Sequence, residues 1–363
     1  MKILCWRNAL SCAAVMTISV VALAENHNGA NNGNYEKSKV LKVALWGDEF
    51  YNSDPDTRQA MIDQTIESMN AHHLDFTIFA GDTKNGSSEC SDTAIGFEPM
   101  QIFNSLDVPT LYTVGDNEWV DCHRTNNANP NGDPYDPLER LSYLRATFFS
   151  QPYSQGSKHP IPVERQGGFV YSENSRFVSS GVEFVALHIP GSNNNLVTTD
   201  GECFKKSNRT WDDCDAATAE YQARNVANLE WLHSSFDKAR ARDLAGIVIS
   251  IQADIFFPFE LSDGGFQEDF WPQLDPAYNG YADFFHALVN ETQSFSGQVL
   301  LVHGDSHYFK LDKPMINDVD TDGRLTPNFT RVEVFGSEDN SWVEMTVDPS
   351  SENVFSFVPV FLQ

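Results

Sequence analysis

Positive charge is scarce in this chain. Lysine and arginine number 24 against 51 aspartates and glutamates, and the formal net charge is −27. A surface this acidic repels nucleic acid and anionic lipid, so neither is expected as a partner. Cysteine is scarce too, with six in 363 residues, and no Cys-x-x-Cys spacing occurs. That weakens any thiolate metal centre. Beyond Ala9–Leu23 no run is long and apolar enough to cross a bilayer, so no membrane span is expected in the mature chain. Repeats and long linkers are absent. What remains is globular: 41% apolar and 12% aromatic residues, enough for one large α/β domain or two smaller ones.

The first residues read as an address rather than as structure. Lys2 and Arg7 precede the apolar stretch, and Ala22-Leu23-Ala24 offers a cleavage site before Glu25. This is the pattern of a secretory signal peptide over residues 1–24, and it implies a secreted or periplasmic protein. Read as an anchor, the stretch is short, and Ser11, Cys12, Thr17 and Ser19 dilute it. An Asn-rich, flexible lead-in is expected over residues 25–40, and a single domain over 41–363. The mature chain keeps Cys90, Cys122, Cys203 and Cys214. In an exported protein these predict two disulfides. Cys203 and Cys214 close a short loop, which leaves Cys90 for Cys122. Asn-x-Ser/Thr sites at Asn85, Asn208, Asn290 and Asn328 matter only if the host glycosylates.

Strand-like runs alternate with helical patterns, as in βαβ units. Strands are expected at Leu41–Trp46, Phe76–Ala80, Thr110–Val114, Phe169–Tyr171, Glu183–Ile189, Ile247–Ile251 and Gln298–Val302. Helices are expected at Ile95–Leu106, Leu138–Phe149 and Ala216–Arg242, with another following the first strand. Arg331–Phe335 and Trp342–Val347 read as a closing antiparallel pair. Loops are expected at Thr125–Pro137 and Gly191–Asn195. The aromatic, Gly/Pro-rich stretch Pro258–Gly280 either covers a site or packs at the core rim.

Five of the strands end in polar segments of one kind: Gly47-Asp48-Glu49-Phe50, Gly81-Asp82, Gly115-Asp116-Asn117-Glu118, Gln252-Ala253-Asp254 and Gly304-Asp305-Ser306-His307. In an open α/β sheet, ligands bind beyond the carboxyl ends of the strands. Carboxylates gathered there repel one another unless something positive sits among them. One or two divalent cations answer that need. A single Gly-Asp after a strand is often only a turn or a helix cap; five polar strand ends in sequence, four of them Gly-Asp, carry more weight.

The order of these segments resembles the calcineurin-like metallophosphoesterase superfamily, whose pattern is D-x-H, G-D, G-N-H-D/E, a lone His after a strand, then G-H-x-H. The resemblance covers roughly Leu41 to Val347, and Asn228-Leu229-Glu230-Trp231-Leu232 resembles the helix that leads into the lone-His strand. It implies an α/β fold, a sandwich of two mixed β-sheets flanked by helices. It also implies a metal-dependent phosphoester hydrolase acting on a phosphorylated small molecule or an exposed phosphoester. Position by position, Asp48 and Asp82 match the first and the bridging Asp, Glu118 keeps its place and His307 matches the last His. The departures are Phe50 for the first His, Asp116 for the Asn ligand, Asn117 for the catalytic His, Gln252 for the lone His and Asp305 for the first His of the last motif. One metal would then be held by Asp48, Asp82 and His307, with Glu49 or water at the gap, and the other by Asp82, Asp116, Gln252 and Asp305. At Asn117, Gln252 and Asp305 an oxygen-bearing side chain stands in place of imidazole, so Mg, Mn or Ca is favoured over Zn or Fe.

Other residues are candidates for what the lost histidines did. His123 is a candidate proton donor and Arg124 a phosphate clamp, beside Asn117 and Glu118 in the catalytic set. Lys84, Asn85, His188 and Asn193 are candidates for touching substrate, and His303 for supporting a ligand from behind. Asp318-Val319-Asp320-Thr321-Asp322-Gly323 starts like a calcium loop, but Phe329 stands where a twelfth-position Glu would be. An acidic exposed turn is the other reading. So too, a decayed phosphoesterase scaffold serving as a metal-stabilised binding protein stays open beside the enzyme.

Overall fold

The computed structural model describes residues 39–167, 170–256, 259–260, 266–267, 275–315, 325–337 and 339–362. The proposed signal peptide, all of the lead-in but its last two residues, most of Pro258–Gly280 and the Asp318–Gly323 turn lie outside them.

Two mixed sheets stack with helices outside. The first contains β1 (Leu41–Trp46), β2 (Phe76–Phe79), β3 (Thr110–Tyr112), β13 (Trp342–Val347) and β14 (Phe355–Val360), in the order β14-β13-β1-β2-β3. The second contains β4 (Glu164–Gln166), β5 (Tyr171–Ser179), β6 (Val182–Ala186), β7 (Gly246–Ser250), β10 (Gln298–His303), β11 (Lys310–Asp312) and β12 (Phe329–Glu333). Its order is β11-β12-β10-β7-β6-β5-β4. Two two-residue strands, β8 (Phe259–Glu260) and β9 (Phe266–Gln267), pair only with each other. Within the first sheet β1, β2 and β3 run parallel, and within the second β6, β7, β10 and β12 do. Their carboxyl ends therefore carry the polar segments picked out above.

Strand alternation explains the layers. Val43 and Leu45 face inward with Ile78 and Leu111, and meet Phe184, Val248, Leu300 and Val332 of the other sheet. Ala44, Trp46, Phe79 and Tyr112 face outward. They are covered by Ile62 and Met69 of α1 (Pro55–Ala71), Phe103 of α2 (Glu98–Ser105) and Leu144 of α3 (Pro137–Phe148). On the far face of the second sheet Ile247, Ile249, Val299 and Leu301 are covered by Leu232 and Phe236 of α6 (Trp211–Ala241) and Phe285 of α7 (Ala282–Ser294). The central strands of both sheets are buried on both faces, which is why they read as unbroken apolar runs. Two short helices, α4 (Gly191–Asn194) and α5 (Asp200–Phe204), lie between β6 and α6.

Several elements differ from expectation. The proposed closing pair does not pair: β12 runs parallel to β10 in one sheet, and β13 runs antiparallel to β1 in the other. Residues 334–341 change sheets between them. Helix α6 begins at Trp211, ahead of the apolar periodicity, because Thr210 and Asp213 form a capping box. Asn328 spends its amide on the carbonyls of Thr292, Phe295 and Gly297, so it is a strut rather than a glycan acceptor. Cys90–Cys122 and Cys203–Cys214 are bonded as expected, and among the described residues no helix is long and apolar enough to cross a membrane.

Candidate metal centre

The five strand-end segments meet. Asp48, Asp82 and Asp116 are buried, at 6% exposure or less, and Asp305 is half-buried at the rim of the group. The Asp305 amide donates to Asp48 Oδ2 at 3.0 Å, which joins the ends of β10 and β1 across the sandwich. Gln252 Nε2 donates to Asp82 Oδ2 at 3.2 Å and to Asp305 Oδ1 at 3.3 Å. Asn117 donates to both oxygens of Asp82, from its amide at 3.1 Å and from Nδ2 at 2.7 Å. His307 Nε2 lies 3.7 Å from Asp48 Oδ1, while its Nδ1 pairs with the Ser337 carbonyl at 2.8 Å.

Glycine makes this crowding possible. A Cβ on Gly115 would stand 2.0 Å from Asp82 Oδ1, and one on Gly304 would stand 1.7 Å from Asp48 Oδ2. Two of the Gly-Asp motifs thus serve a neighbour: Gly115 makes room for the Asp82 carboxylate and Gly304 for that of Asp48. Asp48, Asp82, Asp305 and His307 hold φ angles of 53°, 60°, 82° and 56°. Left-handed backbone at four non-glycine residues is a strain that the surrounding hydrogen bonds must offset.

Burial and mutual repulsion dominate the electrostatics. Burial first, then Asp305, pushes the Asp48 carboxyl well above its ordinary range. Burial, then Asp116 and Glu118, does the same to Asp82, and burial, then Asp116, to Asp305. Glu49 is fully buried, neither of its oxygens has a hydrogen-bond partner, and burial followed by Asp48 pushes it up. Asp48 Oδ1 and Glu118 Oε2 also lack partners. Anions packed this way must take up protons or share a cation. The donor chemistry suits a divalent ion: orphaned buried oxygens on Asp48, Glu49 and Glu118, and one imidazole 3.7 Å from Asp48.

The pH dependence follows. A carboxyl whose folded-state pKa is raised binds more protons folded than unfolded, so stability is lost as pH rises through the raised value. The buried His188 and His123, lowered to about 4 and about 3 from 6.5, act in the opposite sense, but only below about pH 6.5. Asp121, raised to about 7 by burial and Asp116, titrates inside this range, so the metal-free protein should melt at a higher temperature at about pH 6.5 than at about pH 8, and saturating divalent cation should reduce the difference. Melting curves at both pH values with and without chelator test this. A metal-free protein that gains stability toward pH 8 would contradict it.

Each remaining candidate has a definite place. Glu118 accepts from the Thr83 amide at 2.9 Å and from Tyr112 OH at 3.0 Å, so it fixes the turn that carries Asp82. Buried Lys84 donates to the carbonyls of Asn85 and Ser88, and burial lowers its pKa. Asn85 and His307 border a cavity of about 820 Å³ with Tyr51 and Asn52. Arg124 is not a free clamp: it pairs with Asp121 and donates to Ser192 Oγ at 3.2 Å. His123 lines the adjoining cavity, but burial and the guanidinium groups of Arg209 and Arg124 hold it at about 3. It is neutral at pH 7, which corrects the expectation of a proton donor there. His188 is fully packed against Glu173 at 2.9 Å and against Trp119. Burial pushes Glu173 up, but hydrogen bonds from His188 and Arg145 outweigh it and hold the carboxyl at about 2. Asn193 ties Leu196, Tyr278 and Gly280 together. Gln252 accepts from the Gly191 amide at 2.5 Å with Oε1, so its NH₂ edge, not a ligand oxygen, faces the carboxylates. Turning it would set donor against donor at Gly191.

Three residues had no motif to reveal them. Asp121 is buried, and burial together with Asp116 raises its pKa to about 7. Ser192 Oγ donates to Asp116 Oδ2 at 2.5 Å and lies 2.8 Å from Asp121 Oδ1. It begins four consecutive left-handed residues, Ser192 to Asn195. Buried Arg224 of α6 pins this turn through Asn194, and Asn228, from the helix segment noted in the sequence, holds the His188 carbonyl. The third is Tyr51, whose hydroxyl lies 3.3 Å from Asn117 Nδ2.

No family model matches the chain, and no curated protein matches it. Among solved structures the fold is similar to PhoD, with TM-score 0.48 and 12% identity over 85% of this chain and 64% of that one. It is also similar to GAP50, the anchor in the inner membrane complex of Plasmodium, with TM-score 0.41 and 10% identity over 89% of each chain. A 5'-nucleotidase from Candida albicans SC5314 matches with TM-score 0.40 and 12% identity over 90% of this chain and 53% of that one. The chain therefore spans under two thirds of the length of PhoD and about half that of the nucleotidase. Likenesses at this level carry nothing about activity or ligands. The chain is a sandwich of two mixed sheets flanked by helices, and its strand ends bring the polar segments together in the order of the calcineurin-like metallophosphoesterase superfamily that it resembles.

Proposed function

We propose that this protein is an exported hydrolase of phosphoric esters that uses one or two divalent cations, Mg, Mn or Ca in preference to Zn or Fe. The observation that supports it is the meeting of buried Asp48, Asp82 and Asp116 with half-buried Asp305, from the ends of four strands of two sheets. A divalent cation, when bound, supplies charge that polarises a phosphoryl oxygen and lowers the pKa of a water. Asp48, Asp82, Asp116, Asp305 and His307 would hold the cation. Asn117 and Gln252 orient Asp82, and Glu118 positions it through Thr83. The cavity of about 570 Å³ beside Asp121 and Ser192 carries Arg124, Lys205, Lys206 and Arg209 on its wall. In so acidic a protein that wall suits the anionic or polar leaving part of an ester. Asp121, ion-paired with Arg124 and facing the same cavity, is the acidic side chain at this wall.

A second reading has its own observation. Asn117 and Gln252 already satisfy Asp82 with amide hydrogens, as they would in a non-catalytic binding protein on the same scaffold. One experiment separates the two: rates on an aryl phosphate monoester and diester after chelation and re-addition of single metals. Mg, Mn or Ca should restore turnover. Restoration by Zn alone would overturn the oxygen-donor argument, and bound metal without turnover above background would favour the binding protein.

A further inference from the structure

A second group of buried ligand atoms lies behind Asp305. Asp254 follows β7, His303 ends β10 and Glu333 ends β12, three adjacent strands of one sheet, with His303 and Glu333 in direct register. Their exposures are 3%, 0% and 0%. One ligand atom from each lies within 4.8 Å of the others.

Each side chain is held by one atom and leaves another without a hydrogen bond. His303 Nδ1 pairs with the Gly304 carbonyl at 2.9 Å, which fixes the tautomer that leaves a lone pair on Nε2, and Nε2 has no partner. Asp254 Oδ1 accepts from the Phe256 amide at 3.0 Å, while Oδ2 has no hydrogen bond. Glu333 Oε1 accepts from Ser306 Oγ and, at 3.3 Å, from the Tyr308 amide, while Oε2 has no hydrogen bond. One atom anchored by an outer partner and one left over is how metal ligands are prepared. A buried imidazole nitrogen with no partner is otherwise a cost with no return.

A cation already borders the group. Lys310 Nζ lies 3.1 Å from Glu333 Oε2 and 3.6 Å from Asp254 Oδ2, and Arg331 Nη1 lies 3.8 Å from Asp254 Oδ1. Arg331 is committed to Asp312 by two hydrogen bonds. Lys310 is different: it sits on the edge strand β11 with its side chain 15% exposed. It can leave toward solvent, and it makes no hydrogen bond to either carboxylate.

We propose that Asp254, His303 and Glu333 form a separate divalent-metal site that Lys310 guards. One imidazole and two carboxylates suit Mn, Co, Fe or Zn, in contrast to the oxygen-rich cluster in front. The Asp254 amide donates to Asp305 Oδ2 at 3.2 Å, and Asp305 follows His303 by two residues. An ion here would hold Asp305 in place and take no part in the chemistry itself.

The test is titration of the chelator-stripped, full-length mature protein with Co²⁺, read by visible absorption and by metal content. It is run in an Asp82→Asn background so that the front cluster is impaired. One Co²⁺ should bind with a nitrogen-containing ligand spectrum. Glu333→Gln and His303→Gln should each remove it, and Lys310→Met should tighten it about tenfold by removing the competing ammonium. Lys310→Met guards against misfolding of the other two variants, since it takes charge away from a part-exposed edge. If Lys310→Met leaves Co²⁺ affinity unchanged or weaker, or if Co²⁺ binding survives both other substitutions, the ammonium is the true occupant and the proposal is overturned.

Discussion

Asp82→Asn should lower phosphoester turnover by about three orders of magnitude or more. Asp82 is 2% exposed and receives hydrogen bonds from Asn117 and Gln252 on both oxygens. Asparagine has the same shape but replaces one acceptor oxygen with an NH₂ that must face donors already in place. It also removes the one negative charge that two cations would share. Metal content should drop together with activity, and the rise in melting temperature on adding metal should shrink, since that rise reflects binding to the folded state. Near-normal turnover with normal metal content would place the chemistry elsewhere in the molecule.

Gly304→Ala should be nearly as severe, although glycine carries no chemistry. Its added methyl would stand 1.7 Å from Asp48 Oδ2, the oxygen that accepts from the Asp305 amide. Either the carboxylate leaves its position or β10 withdraws from β1, and in both cases Asp48 and Asp305 no longer meet. Misplacement of about 1 Å is enough for a loss of about a hundredfold or more in rate. Gly115→Ala should act on Asp82 in the same way, through a contact of 2.0 Å. Rates and metal affinity of both variants, compared with their circular dichroism, separate a local effect from unfolding. A folded Gly304→Ala protein with unchanged metal affinity would show that the Asp48–Asp305 junction is dispensable.

The sandwich was legible in the sequence where strands are buried on both faces. β1, β2, β7 and β10 are short apolar runs bounded by polar turns, and their bounds were read to within a residue or so. β4, β11 and β14 were not read, because edge strands carry mixed polarity and leave no apolar run. Pairing was the weaker part. β12 and β13 are adjacent in sequence and each would suit a hairpin, yet each finds its partner in a strand from elsewhere in the chain. Local pattern holds no record of that choice.

The carboxylate cluster was legible for a similar reason. A Gly-Asp at a strand end is a local signature, and the structure brings Asp48, Asp82, Asp116 and Asp305 together. Asp121, Ser192 and Tyr51 sit in polar stretches where many side chains look alike, and only tertiary packing selects them. The protonation state of His123 was beyond reach because it depends first on burial and then on Arg209, far along the chain. The orientation of Gln252 depends on one amide, that of Gly191, which no spacing rule reports.

The most direct test is diffraction from crystals of the mature protein loaded with Mn²⁺, recorded where manganese scatters anomalously. The account predicts an anomalous peak within coordinating distance of Asp82 and shared with Asp48, Asp116 or Asp305. No peak at that cluster, with Mn²⁺ bound only elsewhere or not at all, would contradict it.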